Sequence, residues 1–196
     1  GVKGDFGAVS YGRQYGAVEL VADLTDMAYS NTYGNAALGV SKDRQGTGRD
    51  NSMLKYTNKF AALQLDVSYV FDDDKNKNVD TGGYGIAAAY KLGSSLTLAA
   101  GFNRSEPTND YDASLVLAGA TFQQGPVKVA ATFAQGSEFL AQDTDHTGYE
   151  LSAEYKLSKQ LRAQVFYNKQ ELEVGSVDTD SVDDLVFGAR YDFNKS

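Results

Sequence analysis

Apolar side chains recur at every second position through most of this chain. From Leu63 to Phe71 the residues Leu63, Leu65, Val67, Tyr69 and Phe71 alternate with Gln64, Asp66, Ser68 and Val70. The same beat runs through Tyr84–Leu92, Leu96–Asn103, Val127–Phe133, Tyr149–Leu157, Leu161–Asn168 and Leu185–Phe193. Successive side chains of a strand point to opposite faces, so each segment predicts a strand with one oily and one mostly polar face. Phe6–Gln14 and Leu54–Phe60 read as two earlier strands. Ala113–Phe122 reads as another, but both of its faces are apolar and neither can be assigned. The sum is about ten strands of about ten residues, the length that a tilted membrane-spanning strand needs.

The connections alternate as well. Short turns are predicted at Ala61-Ala62, Gly93–Ser95, Gln123–Pro126 and Ser158–Gln160. Longer polar loops are predicted at Asp72–Thr81, Arg104–Asp112, Gln135–His146 and Gln170–Asp184. Short turns at one end and long loops at the other describe an all-β, antiparallel up-and-down meander with unlike ends. A soluble barrel or sandwich would turn its oily faces inward, and a membrane barrel turns them out. Two features favour the second arrangement. Aromatic residues stand near strand ends on the oily face: Phe71, Tyr84, Phe102, Phe122, Phe133, Tyr149, Tyr155, Tyr191 and Phe193. The other face mixes charges with small residues such as Gly85, Ala87, Ala99 and Gly101. The deciding observation is whether Leu65, Tyr90, Leu151 and Phe187 meet in a dry centre or stand outside.

Composition agrees. Mean hydropathy is −0.39 with 42% hydrophobic residues, and no run approaches the ~20 apolar residues of a membrane helix. There are 20 Gly, 13 Tyr and 10 Phe but only 2 Pro among 196 residues, which suits long strands and tight turns. A net charge of −8 and a pI near 4.6 argue against a nucleic-acid partner, whose phosphates would be repelled. An acidic exterior binds divalent cations or keeps the chain soluble. Cysteine is absent, so thiol and disulfide chemistry are excluded. The opening Gly1-Val2-Lys3-Gly4 reads as mature or internal sequence.

Residues 15–48 break the rhythm. About thirty residues between two strands are too many for an ordinary connection and point to function. Glu19–Asp26 reads as a short helix, and Ser30–Gly48 is rich in Ser, Asn and Gly. Such a segment either folds into a barrel interior, narrowing it and placing acids there, or extends outward as a surface arm.

The run Gly1–Gly16, with its Tyr11-Gly12-Arg13-Gln14-Tyr15-Gly16, resembles the strand pair before the constriction loop of Gram-negative general diffusion porins. Thr25-Asp26-Met27 matches the family's motif in that loop, and Asn51-Ser52 with Leu54-Lys55-Tyr56 is similar to the strand that leaves it. Beyond Tyr56 the likeness is strand rhythm and phrases such as Gly188–Phe193. The resemblance implies a trimeric sixteen-stranded outer-membrane barrel of which about ten strands are present, with the flanking strands expected elsewhere in the native protein. It implies that residues 15–48 fold inward as a constriction. Asp26 takes the place of its acid, with Glu19 and Asp23 as further acids. The family's second loop carboxylate is missing from Ala28–Gly34. Lys42 or Arg44 is similar to a member of the opposing basic ladder, and Arg13 resembles a residue at the trimer contact.

The function so implied is a passive channel for ions and small hydrophilic solutes, embedded in outer-membrane lipid and lipopolysaccharide, with no cofactor and no metal. Expected lumen charges are Lys55, Lys59, Asp66, Lys91, Lys128, Glu150, Glu154, Lys156, Arg162, Arg190 and Asp192. A substrate-selective channel would show a track of lumen aromatics, and Phe166 is the single inward aromatic that the pattern gives. A non-channel surface or adhesion barrel is the other alternative. Asp72–Asn78 resembles an EF-hand start, but Lys77 stands where Gly is required and no Glu closes the loop. Hydrolysis would need a positioned nucleophile around His146, the one histidine, which reads as a polar loop tip; no enzyme is expected.

Overall fold

The alternating segments join into one ladder. In the computed structural model, which describes residues 1–27, 47–71, 82–108, 111–139, 141–175 and 177–193, eleven antiparallel strands follow one another in sequence order. They are β1 (Val2–Gly4), β2 (Gly7–Tyr15), β3 (Arg49–Phe60), β4 (Leu63–Val70), β5 (Gly83–Leu92), β6 (Leu96–Thr108), β7 (Tyr111–Gln124), β8 (Val127–Ser137), β9 (Thr144–Lys156), β10 (Leu161–Val174) and β11 (Val177–Tyr191). Among the described residues between β2 and β3 there is a helix, α1 (Glu19–Ala22). Among the described residues no helix is long and apolar enough to cross a membrane.

Burial along the strands is inverted relative to a water-soluble sheet. Tyr90 is 47% exposed, Leu151 51% and Phe187 76%, and Leu65 is half-buried rather than part of a core. The buried strand positions include the polar Asp66, Ser68, Asn103, Thr132, Glu150, Ser152, Gln164 and Asn168. A soluble protein does not expose so long a row of Val, Leu, Ile, Phe and Tyr. The exposed row is banded. Phe60, Tyr90, Phe122, Tyr155 and Tyr191 mark the short-turn end. Near the other end Tyr69 and Phe71 touch edge-on with centroids 4.9 Å apart, and Phe133 and Tyr149 pair at 5.2 Å. Aliphatic Val67, Ile86, Leu98, Val129 and Leu151 lie between. Two aromatic girdles around an aliphatic belt match a sheet that crosses a bilayer.

The β7 segment that pattern could not orient now has two apolar faces with different uses. Val116 and Phe122 are exposed with the belt, whereas Ala113, Leu115 and Leu117 are fully buried on the other face.

Several predicted loops are strand instead. The Arg104–Asp112 segment is largely the ends of β6 and β7, with Ser105 opposite Ala113 and Thr108 opposite Tyr111. Gln170–Asp184 is largely β10 and β11, paired up to Val174 and Val177. Polar side chains outside the oily belt cost an antiparallel ladder nothing, because its stability there comes from backbone bonds and cross-strand pairs. Gln135–His146 shrinks likewise to a connection between Ser137 and Thr144. His146 is not at a loop tip: it lies within β9, is 1% exposed and packs beside Phe139 with ring centroids 6.3 Å apart. Asp72–Thr81, with its EF-hand-like start, lies outside the described residues.

One irregularity touches a predicted site. The register between β2 and β3 shifts between Gly12 and Gln14, and Gly12 adopts φ +123°, a conformation open to glycine. The bulge falls at Arg13, which is exposed on the oily-face side of β2.

Candidate functional site

The segment after β2 turns onto the polar face and crosses it. Ala17, Val18, Val21 and Ala22 are fully buried there, packed on Ala87, Ala99, Ala113, Leu115, Leu117 and Ala134. The wall makes room by omitting side chains. A Cβ on Gly101 would lie 3.2 Å from Val18 Cγ1 and 3.2 Å from Val21 Cγ2, and one on Gly119 would lie 3.0 Å from Leu24 Cδ1. A four-residue helix has no stability of its own. Its apolar side chains are held because this floor removes them from water.

Polar contacts fasten the segment at both sides of that floor. At its entry Ser68 Oγ accepts the Ala17 N–H at 3.0 Å, and Lys55 Nζ donates to the Gly16 carbonyl at 3.2 Å. Lys55 also pairs with Asp66 at 3.0 Å. Farther along, Thr25 Oγ1 donates to Glu150 Oε2 at 2.8 Å, and Gln164 Nε2 donates to the Met27 carbonyl at 2.7 Å. Met27 packs with Ala130 and the buried Phe166. The described part of the segment thus reaches from β3 and β4 to β9 and β10.

This route brings three predicted acids together. Glu19 lies partly buried, and Asp23 and Asp26 present exposed surface. Burial, then the neighbouring Asp23 and Asp26, push the Glu19 carboxyl up to about 7, against a smaller pull from Lys55 and Arg49. Asp23 is raised too, by burial first and then by Asp26, with Lys55 opposing. Desolvation and like charge act in the same direction on both groups. Among the described residues no set of three such groups converges as metal ligands do.

The expected wall charges lie on the polar face, but they differ in availability. Lys55 and Asp66 are a largely buried pair engaged in holding the segment. Glu150 and Glu154 are buried; Glu154 accepts from Gln164 at 3.0 Å. Arg162 lies 3.8 Å from Glu154 and 3.7 Å from Asp192, and Arg190 donates to Asp192 at 2.6 Å. Lys91 is exposed and Lys128 half-buried. Lys42 and Arg44 lie outside the described residues. The cation that sequence reasoning missed is Arg49, at the start of β3, whose guanidinium sits 5.0 Å from the Tyr15 ring centroid and close enough to Glu19 to lower its pKa. Its signal was its place at the beginning of the returning strand. Thr25 and Gln164 were missed as well, since uncharged anchors leave no mark in a charge pattern.

A family profile described as Gram-negative porin matches residues 1–196. The chain belongs to this porin family. It is 28% identical over 192 residues to outer membrane protein U of Vibrio parahaemolyticus, covering 93% of this chain and 53% of that protein. It is 32% identical over 170 residues to outer membrane protein U of Vibrio vulnificus, covering 79% and 46%. The porin spans about half the length of these curated relatives. Among solved structures, OmpF of Salmonella typhi in complex with daunomycin superposes with a TM-score of 0.85 at 23% identity, over 97% of this chain and 64% of that one. An anion-selective porin from Comamonas acidovorans gives 0.74 at 16%, over 98% and 61%. The oily belt is therefore the lipid side of an outer-membrane porin wall.

Proposed function

We propose that the protein is a general diffusion channel of the outer membrane, passing ions and small hydrophilic solutes through water held against the polar face. The observation that carries this reading is the course of Gly16–Met27, fixed across that face while the oily belt faces out. Residues 15–48 act as the constriction. Glu19, Asp23 and Asp26 supply its negative side, and Lys55 is the polar-face cation beside them. Opposed charges across a narrow opening orient dipolar solutes and disfavour oily ones. The exposed face of β2 around Arg13 is the side we assign to contact between copies, in a trimer. The belt meets outer-membrane lipid and, in the outer leaflet, lipopolysaccharide.

Single-channel recording in planar bilayers tests the reading, using protein purified from the outer membrane of cells that express it. The expected result is large, ohmic conductance in groups of three steps. Asp26→Asn, which removes one exposed carboxylate, is expected to lower cation preference without closing the pore. A protein that inserts and conducts nothing overturns the proposal.

A further inference from the structure

Six cations share one kind of position. Lys59, Lys91, Lys128, Lys156, Arg162 and Arg190 each stand last, second or next to last in their strands, at the end joined by short connections. All fall on the polar face, as their cross-strand partners show. Lys59 is opposite Gln64, Lys91 opposite Thr97 and Lys128 opposite Glu154, while Arg162 has Lys156 on one side and Arg190 on the other. Among the described residues the acids in this zone are Asp5, Glu154 and Asp192. Short connections of such barrels lie on the periplasmic side, so the polar face carries a cationic collar at that mouth. The acids Glu19, Asp23 and Asp26 belong to a segment that enters from the opposite end.

Lys156, Arg162 and Arg190 are immediate neighbours in one row. Like charges placed directly opposite destabilise a sheet, and any polar residue would suit a wet wall equally well. Asp192 lies between the two guanidinium groups, 3.7 Å from Arg162 and 2.6 Å from Arg190. With Glu154, 3.8 Å from Arg162, it offsets part of the repulsion within a row of three cations. Both arginines and Lys156 remain accessible to solvent. Guanidinium forks pair with phosphate or carboxylate oxygens two at a time, and an ammonium adds a point charge.

We propose that the Lys156–Arg162–Arg190 row is a binding site for solutes bearing phosphate or carboxylate groups, set at the short-connection mouth and separate from the acidic constriction. It deepens the channel reading, since solute reaches this face only if the face lines water. The row holds an anion briefly at the mouth and raises its local concentration there; the surrounding lysines extend the attraction over a Debye length.

The test separates binding from conduction. Purified protein is treated with phenylglyoxal, which modifies accessible guanidinium groups, and modification of each arginine is read by peptide mass spectrometry. Inorganic phosphate, glucose 6-phosphate, or glucose is present, at ionic strength matched with chloride. Both phosphates are expected to slow modification of Arg162 and Arg190 several-fold, glucose is expected to have no effect, and Arg104 on the outer side serves as reference. The triple variant K156Q/R162Q/R190Q is expected to weaken block of single-channel current by glucose 6-phosphate about tenfold or more, with Lys169→Gln as the unaffected control. Unchanged modification with either phosphate, or equal protection by glucose, overturns the site. Protection without any conductance upholds the site and overturns the channel.

Discussion

Strands β5–β7 and strands β8–β11 follow the same two-residue alternation, yet their polar-face positions carry different residues. On β5–β7 those beneath the crossing segment are Gly85, Ala87, Ala99, Gly101, Leu115, Leu117 and Gly119, small or apolar and in contact with it. On β8–β11 they include Glu150, Glu154, Arg162, Gln164, Asn168 and Arg190, beside the apolar Ala130, Ala134 and Phe166, and the polar ones reach the segment's far end or the open face. Inward composition records what lies on top of each strand. Where side chains of the segment rest, the wall is apolar and smooth. Where its backbone must be met or water remains, the wall is polar.

The contrast is broken most severely at the floor. Leu117→Ala removes a fully buried side chain beneath α1 and is expected to cost about 2–5 kcal/mol, the range for large-to-small changes in a packed core. Its outward neighbour gives the comparison: Val116→Ala, on the exposed belt, is expected to cost much less. Denaturant unfolding in lipid vesicles measures both, and equal losses would mean that the floor is not a core. Thr25→Val probes the polar side. It takes one donor from buried Glu150 while keeping volume, for an expected loss of about 1–3 kcal/mol, which Thr25→Ser should largely restore.

The smallest effect concerns charge. Glu19 titrates near 7 instead of its ordinary 4.5. Because the folded form holds the proton more tightly, this group lowers stability as pH rises from about 4.5 to about 7. It is neutral below that window and anionic above it. Cation preference of the channel is therefore expected to rise as pH passes through about 7. Glu19→Gln should remove that step and leave the protein slightly more stable at alkaline pH. Reversal potentials measured across the range read the first effect and unfolding midpoints the second. A step of undiminished size in Glu19→Gln would assign it to another group.

Strand rhythm made most of the architecture readable, because alternation is a local property and each strand pairs with its neighbours in sequence. Leu65, Tyr90, Leu151 and Phe187 are where the pattern put them. Its failures share one cause, namely that a residue's surroundings in a sheet come from other strands. Arg104–Asp112 and Gln170–Asp184 looked like loops because neither carries a continuous apolar face, yet cross-strand partners make them strand. Leu115 and Leu117 gave no orientation because the helix covering them lies about ninety residues earlier in the chain. For the site, the acids were visible as charges on an arrhythmic segment. The anchors Ser68, Thr25 and Gln164 were not, since only the folded route of the backbone brings them to their partners. His146 looked polar and is buried for the same reason.

The long hairpins have an outward consequence. About nine to eleven residues suffice to cross the bilayer, and β10 and β11 run to 14 and 15. Their surplus projects beyond the lipid as ladder-bonded ribbon. A bacteriophage or antibody arriving from outside therefore meets a stiff relief on that side of the rim. Its backbone groups are used within the ladder, so such a binder reads the ribbon through its side chains.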